Sequence, residues 1–175
     1  MQFSNAEETL WNCRDIKMDN VSANGMYFAM GSENIEVNNF SITGSYAFDG
    51  CKNVVIKNSR LATKDAFWNC ENVLVEDSII SGEYIGWNSK NVSFINCTIE
   101  SNQGFCYMEN VKLENCTLVH TDLAFEYSTV EADIHGVVLS IKNPISGTII
   151  VDEVNEIIFD NDEVQKENTI IKTRK

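Results

Sequence analysis

Aromatic and acidic side chains recur at one spacing in the middle of this 175-residue chain. The residues fall into two columns, that is, sets of positions separated by the same constant step along the chain. One column holds Tyr46, Asp65 and Tyr84, and the other holds Asp49, Trp68 and Trp87. Aromatic faces can stack on the C–H faces of sugar rings, and neighbouring carboxylates accept hydrogen bonds from hydroxyls. We therefore treat these residues as a candidate carbohydrate-binding strip, flanked by Glu83. An exposed apolar strip would also suit a protein partner, and inward packing is a common fate of aromatic side chains.

The two carboxylates of the strip raise the alternative of a carbohydrate-active hydrolase or lyase. Glycosidases use two carboxyl groups about 5–9.5 Å apart, and Asp49 and Asp65 could fall near that range. A lyase would need a basic residue beside an acidic cation site, yet none of Arg14, Arg60 and Arg174 lies in an aspartate cluster. No nucleophile-elbow, phosphate-loop or dinucleotide motif occurs, so catalytic residues stay unknown and no cofactor is implied.

The overall charge and composition limit the partners. The formal net charge is −13 at pH 7, which repels phosphate backbones and argues against nucleic acid. No apolar run reaches membrane-spanning length and no signal segment is recognisable, so we expect no membrane association. The cysteines and histidines lack metal-site spacing, and no metal is expected.

An internal repeat must position the strip. Equivalent residues recur every 19 positions, over six copies without an insertion, from about Leu10 to Leu123. One amide-rich column holds Asp15, Asn34, Asn53, Asn72, Asn91 and Asn110. A second holds Asn20, Asn39, Asn58, Asp77, Asn96 and Asn115. Apolar and polar residues alternate within each copy, which indicates strands rather than helices.

Copies this short cannot bury their apolar faces alone, so they must stack. The sequence therefore predicts an all-β fold, a single-stranded parallel β-helix (β-solenoid) of about 19 residues per coil. Leucine-rich repeats and hexapeptide helices do not fit the period or the pattern. In such a stack, amide side chains can bond to the amides above and below them. Charges of alternating sign would set the same register in the column Arg14, Glu33, Lys52, Glu71, Lys90 and Glu109.

Two adjacent columns indicate which side chains face the core. One is wholly apolar or glycine: Leu10, Ala29, Phe48, Phe67, Gly86 and Phe105. The next is Trp11, Met30, Asp49, Trp68, Trp87 and Cys106. Adjacent residues point to opposite faces, and burying the charge of Asp49 would be costly. We therefore place the phenylalanine column inside and the tryptophan column outside.

The cysteines lie in small, mostly apolar columns. Cys51 and Cys70 are one copy apart, as are Cys97 and Cys116. Stacking would place such Cα atoms about 4.8 Å apart, but parallel Cβ atoms would then be too distant for a disulfide. We predict free buried thiols, which suit a reducing cytoplasm and therefore a cytoplasmic location.

The repeat register slips by one residue after Leu123. We expect residues 1–160 to form a single β-helix domain, with regular coils over 10–123 and irregular last coils and a cap over 124–160. Residues 161–175 are expected to form a charged C-terminal tail, in which residues 169–171 could add a strand. No cap precedes the first copy, so the open N-terminal coil could join two chains in a homo-oligomer.

Several segments carry a more specific signal. They include Glu8–Cys13, Phe48–Val54, Asp65–Val73, Gly86–Val92, Ile95–Glu100 and Leu123–Val130. In these segments the chain resembles an uncharacterised bacterial family, domain of unknown function 3737, over nearly its whole length. The resemblance implies a pectin-lyase-like, right-handed parallel β-helix, and family members with additional coils before the position of Phe3. It carries no catalytic residue over to this chain.

Overall fold

The structure is a computed structural model that describes residues 1–174. Parallel strands stack into one β-solenoid of about nine turns. The strands are β1 (Gln2–Phe3), β2 (Arg14–Met26), β3 (Glu33–Ser45), β4 (Lys52–Lys57), β5 (Arg60–Lys64), β6 (Glu71–Glu76), β7 (Ile79–Ser81), β8 (Lys90–Ile95), β9 (Thr98–Asn102), β10 (Glu109–Asp122), β11 (Thr129–Lys142), β12 (Ser146–Ile158) and β13 (Thr169–Thr173). A 3₁₀ turn, Lys166–Asn168, precedes β13. The predicted all-β solenoid is confirmed.

The coils stack in the register that the repeat predicts. Val54 of β4 pairs with Ile35 of β3 and with Val73 of β6, so each coil adds about 19 residues. Val92 and Val111 continue the column at the same step. All five side chains are buried. Since equivalent residues face the same way in every coil, each apolar column adds to one continuous core.

Phenylalanine rings fill one corner of this core. Phe48 and Phe67 stack with their centroids 5.7 Å apart, and Phe105 and Phe125 with theirs 5.2 Å apart. Phe94 bridges the two pairs, at 6.2 Å from Phe67 and 5.5 Å from Phe105. All five rings are fully buried, so the column predicted to face inward does so.

The coils turn at positions where the backbone is left-handed. In the first amide column φ is +58° at Asn34, +56° at Asn53 and +59° at Asn72. In the second it is +50° at Asn58 and +49° at Asp77. Asn and Asp tolerate this conformation better than other residues that carry a Cβ. The amide columns therefore form corners of the coil as well as stacks between coils.

The first amide column forms a hydrogen-bond ladder. The Nδ2 of Asn53 donates to the Oδ1 of Asn34 over 3.0 Å, and Asn72 donates to Asn53 over 3.1 Å. Asn91 donates to Asn72 over 3.1 Å, and Asn110 donates to Asn91 over 2.8 Å. Each amide in the middle of the stack thus uses both its donor and its acceptor, as the column predicts.

The second amide column is less regular. Asn96 donates to Asp77 over 3.2 Å, which matches the predicted register. Asn58, however, donates over 2.9 Å to Asn38 rather than to Asn39. Asn38 offers an alternative carbonyl acceptor one residue earlier in the coil below, and this choice interrupts the ladder.

Replacing Asn72 with alanine should lower the free energy of unfolding by about 3 kcal/mol, because it removes two ladder bonds and leaves a left-handed corner without its amide. Glycine at this position tolerates the conformation and loses only the ladder, so we expect about half that loss. Urea unfolding of both variants measures the difference. Equal stability of all three proteins would contradict a structural role for the ladder.

The alternating charge column forms exposed ion pairs. The pairs are Arg14–Glu33 at 3.6 Å, Lys52–Glu71 at 3.8 Å and Lys90–Glu109 at 3.0 Å. Exposed pairs of this kind contribute about 0–1 kcal/mol each, so this column affects register more than stability.

All six cysteines are free, as predicted. Cys13 is half-buried and the others are buried. The Sγ of Cys51 donates to the carbonyl oxygen of Ala29 over 2.9 Å, and that of Cys70 to the carbonyl of Phe48 over 2.8 Å. Burial raises the pKa of Cys51 to about 12. At neutral pH this thiol stays protonated and acts as a packing group.

The coils vary in length toward the C-terminus, where Gly147 of β12 pairs with Thr169 of β13, a longer step along the chain than in the regular coils. Val130 of β11 pairs with Gly147 of β12, which is a shorter step along the chain than in the regular coils. The segment predicted as a tail takes part in the stack, because β13 pairs in parallel with β12. Arg174 then donates to Asp152 over 2.9 Å and ties the last strand to the coil below it. The strand expected around residues 169–171 is therefore present.

The N-terminal edge of the stack is only partly covered. β1 pairs with Ser22 and Ala23 of β2. Within the described chain, residues 14–19 of β2 pair with β3 alone. The side chains of Ile16 and Met18 are half-buried there, whereas their equivalents in later coils are buried. Association of two chains through this edge stays a prediction.

Candidate functional site

A depression of about 320 Å³ lies along one edge of the solenoid. Its lining residues are Tyr46, Lys64, Asp65, Trp68, Tyr84, Trp87 and Gln103. Five of the six residues of the predicted strip therefore meet at one place, and the sixth, Asp49, does not line it. Small-molecule sites measure about 300–1,000 Å³, so the depression suits a small ligand or one short segment of a polymer.

The lining side chains come from left-handed corners and from positions next to buried rings. Tyr46, Asp65 and Tyr84 occupy equivalent corners, with φ of +56°, +50° and +53°. Just after the middle corner, Phe67 is fully buried and the next residue, Trp68, is half-buried and faces the surface. Trp11 is 43% exposed and Trp87 is half-buried, so all three tryptophans of this column reach the surface. The predicted outward direction of the tryptophans is confirmed.

Cys106 is an exception in the tryptophan column. It is fully buried, contrary to the outward direction predicted for that column. The coil that begins at Gln103 holds one extra residue, so Tyr107 donates its backbone N–H to Glu126, one residue beyond the acceptor position of the regular coils. The shifted coil covers Cys106, and burial raises the pKa of its thiol to about 12.

Aromatic rings contact one another on both sides of the depression. On one side, the rings of Tyr27 and Tyr46 stack at 4.9 Å, and Tyr46 lies 5.6 Å from Trp68. On the other side, the contacts are Tyr84–Trp87 at 5.3 Å, Trp87–Tyr107 at 4.6 Å and Tyr107–Tyr127 at 5.2 Å. The depression thus lies between two groups of rings that support each other.

Three rings of this row were not predicted as site residues. Tyr27 belongs to the same column as Tyr46, and this position was a usable signal. Tyr107 lies one regular step after Asn88, and both residues have a left-handed backbone. The signal for Tyr107 was an aromatic residue at a position where the two preceding copies have an amide. Tyr127 follows Tyr107 by one residue more than the regular step, and the register slip after Leu123 was the signal that aligns the two.

Asp65 supplies a carboxylate at the depression. The residue is only 4% exposed. Burial raises the pKa of Asp65, the carboxylates of Asp49 and Glu83 raise it further, and Lys64 lowers it. The nearby hydroxyl of Tyr46 also lowers the pKa of this carboxyl. The carboxylate of Asp65 is thus a buried hydrogen-bond acceptor with two other carboxylates close to it.

Asp49 has a different environment. It is half-buried, burial raises its pKa, and a hydrogen bond from the side chain of Asn69 opposes this shift. A two-carboxylate glycosidase needs both groups to face one sugar bond. Here Asp65 lines the depression and Asp49 lies outside the lining, so the pair is not arranged around one cavity.

The side-chain ammonium of Lys64 lies over the aromatic ring of Tyr84. Its Nζ lies 5.2 Å from the ring centroid of Tyr84. The same Nζ is 3.6 Å from the carboxylate of Glu83. The ring and the carboxylate hold the lysine at the border of the depression.

Two other kinds of feature are absent from residues 1–174. No three His, Cys, Asp or Glu side chains in that range cluster closely enough to hold a metal ion. Likewise, none of the helical segments described is long and apolar enough to cross a bilayer.

The comparisons with known proteins identify one family. A family model described as a protein of unknown function (DUF3737) matches residues 1–172. Neither a curated protein nor a solved structure matches the chain. Since the matched range includes every coil of the solenoid and the whole depression, the chain belongs to the DUF3737 family of proteins of unknown function.

Proposed function

We propose that this protein binds a carbohydrate at the depression without transforming it. The observation that supports the proposal is the convergence of aromatic faces and polar groups in one small cavity. Trp68 and Trp87 offer faces on which the C–H side of a sugar ring can stack. Asp65 offers carboxylate acceptors, and Gln103 offers an amide that both donates and accepts.

The rings at the depression contact and support one another. Tyr84 and Trp87 pack edge to face, with 89° between their planes. Tyr46 is held between Tyr27 and Trp68. A ligand that stacks on such rings loses little affinity to the ordering of side chains.

The geometry favours binding over hydrolysis. Asp65 lines the depression, but it is the only one of the two candidate carboxylates that does so. Asp49 lies outside the lining and cannot act on the same bond from the position it holds. A hydrolase mechanism would need these two groups on opposite sides of one ligand.

A protein partner is the second candidate. The row of rings extends beyond the depression, from Tyr27 on one side to Tyr127 on the other. A protein surface would cover the row, whereas a short saccharide would cover only its middle. Tyr127 contacts none of the lining rings, so its substitution should weaken a protein complex and leave saccharide binding unchanged.

Calorimetric titration with tetrasaccharides, both neutral and charged, tests the proposal. We expect at least one to bind, and Trp68→Ala to weaken it about tenfold because a stacking face is lost. Trp11→Ala is the matched control, since Trp11 belongs to the same column, is 43% exposed and lies outside the depression. The absence of binding by every tetrasaccharide at millimolar concentration would overturn the proposal, and so would equal weakening by the two variants.

A further inference from the structure

The charged side chains around the depression are mostly acidic. Asp65 lines it, and Asp49 and Glu83 are close enough to raise the pKa of Asp65. Lys64 is the basic side chain of the lining, and its Nζ is 3.6 Å from Glu83. With Lys64 paired in this way, the negative charges of Asp65 and Asp49 exceed the positive charge at the site.

The aromatic walls add to the same electrostatic preference. The face of an aromatic ring is negative because of its quadrupole, and it attracts cations within about 6 Å of its centroid. The contact of Lys64 with Tyr84, at 5.2 Å, is an intramolecular example at the edge of this site. Trp68 and Trp87 present further faces, and the buried carboxylate of Asp65 lies in the same lining.

From these observations we infer that the ligand is a cationic amino sugar, whose protonated amine pairs with Asp65 while its ring stacks on Trp68 or Trp87. This inference rests on the proposed function and narrows its ligand class. An ammonium group has three donors, which the carboxylate of Asp65 and the amide oxygen of Gln103 can accept. An N-acetylated sugar lacks the charge and keeps only the stacking.

Acidic sugars are disfavoured by the same charges. A uronate carboxylate in the depression would lie beside Asp65 and near Asp49, and like charges at short range repel. The net charge of −13 extends this repulsion to the approach of a polyanion. Binding of an amino sugar, in contrast, should be steered by the protein field and should weaken as salt is raised.

Four tetrasaccharides of similar size separate the possibilities: β-1,4-linked glucosamine, its N-acetylated form, the glucose equivalent and α-1,4-linked galacturonate. In calorimetry at pH 6 and low salt, glucosamine should bind about tenfold more tightly than glucose or the acetylated form. Galacturonate should bind most weakly. Raising the salt should reduce the glucosamine preference.

Asp65→Asn should bring the ratio of glucosamine to glucose affinity close to one. Asparagine tolerates the left-handed corner at φ +50° and has nearly the same shape as aspartate, so the fold should be preserved. Asp77→Asn is the matched control, because Asp77 is also at a left-handed corner, with φ +49°, but belongs to the amide column away from the depression. It should leave the ratio unchanged.

The outcomes distinguish the inference from the proposal on which it rests. Equal binding of glucosamine and glucose, or tighter binding of galacturonate, would overturn the amino-sugar inference and leave carbohydrate binding in place. Failure of all four tetrasaccharides to bind would overturn both. A glucosamine preference that survives Asp65→Asn would show that this carboxylate is not the counter-ion.

Discussion

Replacing Gly44 with alanine is expected to lower the free energy of unfolding by about 4 kcal/mol. Gly44 lies in β3 with φ +148°, a conformation that residues with a Cβ rarely adopt. An added Cβ would lie 1.8 Å from the carbonyl oxygen of Gly25 and 2.8 Å from its carbonyl carbon. Both atoms belong to the backbone of the paired coil, so relief of the clash requires the two coils to separate.

Urea unfolding followed by circular dichroism measures this loss, with Gly86→Ala as the control. The added Cβ at Gly86 would meet the Cε and Sδ atoms of Met108, at 2.6 and 2.7 Å, which are the far end of a flexible side chain. We expect that variant to lose about 1 kcal/mol, since methionine can adopt another rotamer. A Gly44→Ala protein as stable as the control would contradict the close stacking of β2 on β3.

Replacing Phe67 with alanine should have a comparable effect, a loss of about 4 kcal/mol. Phe67 is fully buried, and its ring lies 5.7 Å from that of Phe48 and 6.2 Å from that of Phe94. Its removal leaves a cavity that neighbouring rings cannot fill, because each is fixed by the coils above and below. The next residue, Trp68, lines the depression, so ligand affinity should fall together with stability.

Two controls accompany this experiment. Phe67→Leu keeps most of the volume and should lose about 1.5 kcal/mol. Trp11→Ala removes a larger side chain that is 43% exposed, and it should lose less than about 1 kcal/mol. If truncation of the buried phenylalanine were no more harmful than truncation of the exposed tryptophan, the assignment of inner and outer columns would be refuted.

The repeat made most of the fold predictable. Residues of one type that recur at a constant spacing specify both which strands pair and which side chains face the core. The pairs Ile35–Val54 and Val54–Val73 follow directly from this spacing. The left-handed corners were less visible. Asparagine is the clearest sequence sign of such a corner, as at Asn34 and Asn53. Tyr46, Asp65 and Tyr84 adopt the same conformation although none of them is asparagine.

The candidate site was predictable to a similar degree. The columns place Trp68 above the position of Asp49, and the structure confirms that the tryptophan side chain faces outward. The prediction did not separate Asp49 from the depression, because a column gives register but not the tilt of each side chain. Tyr127 was within reach, because the one-residue slip after Leu123 aligns it with Tyr107, but the columns used for the strip did not include that position.

Nuclear magnetic resonance of the tryptophan side chains tests the central claim most directly. The chain has three tryptophans, and each indole N–H gives one signal in a proton–nitrogen correlation spectrum. On addition of the glucosamine tetrasaccharide, the signals of Trp68 and Trp87 should shift together and saturate, while that of Trp11 stays in place. Equal shifts of all three signals, or a shift of Trp11 alone, would contradict the assignment of the ligand site to this depression.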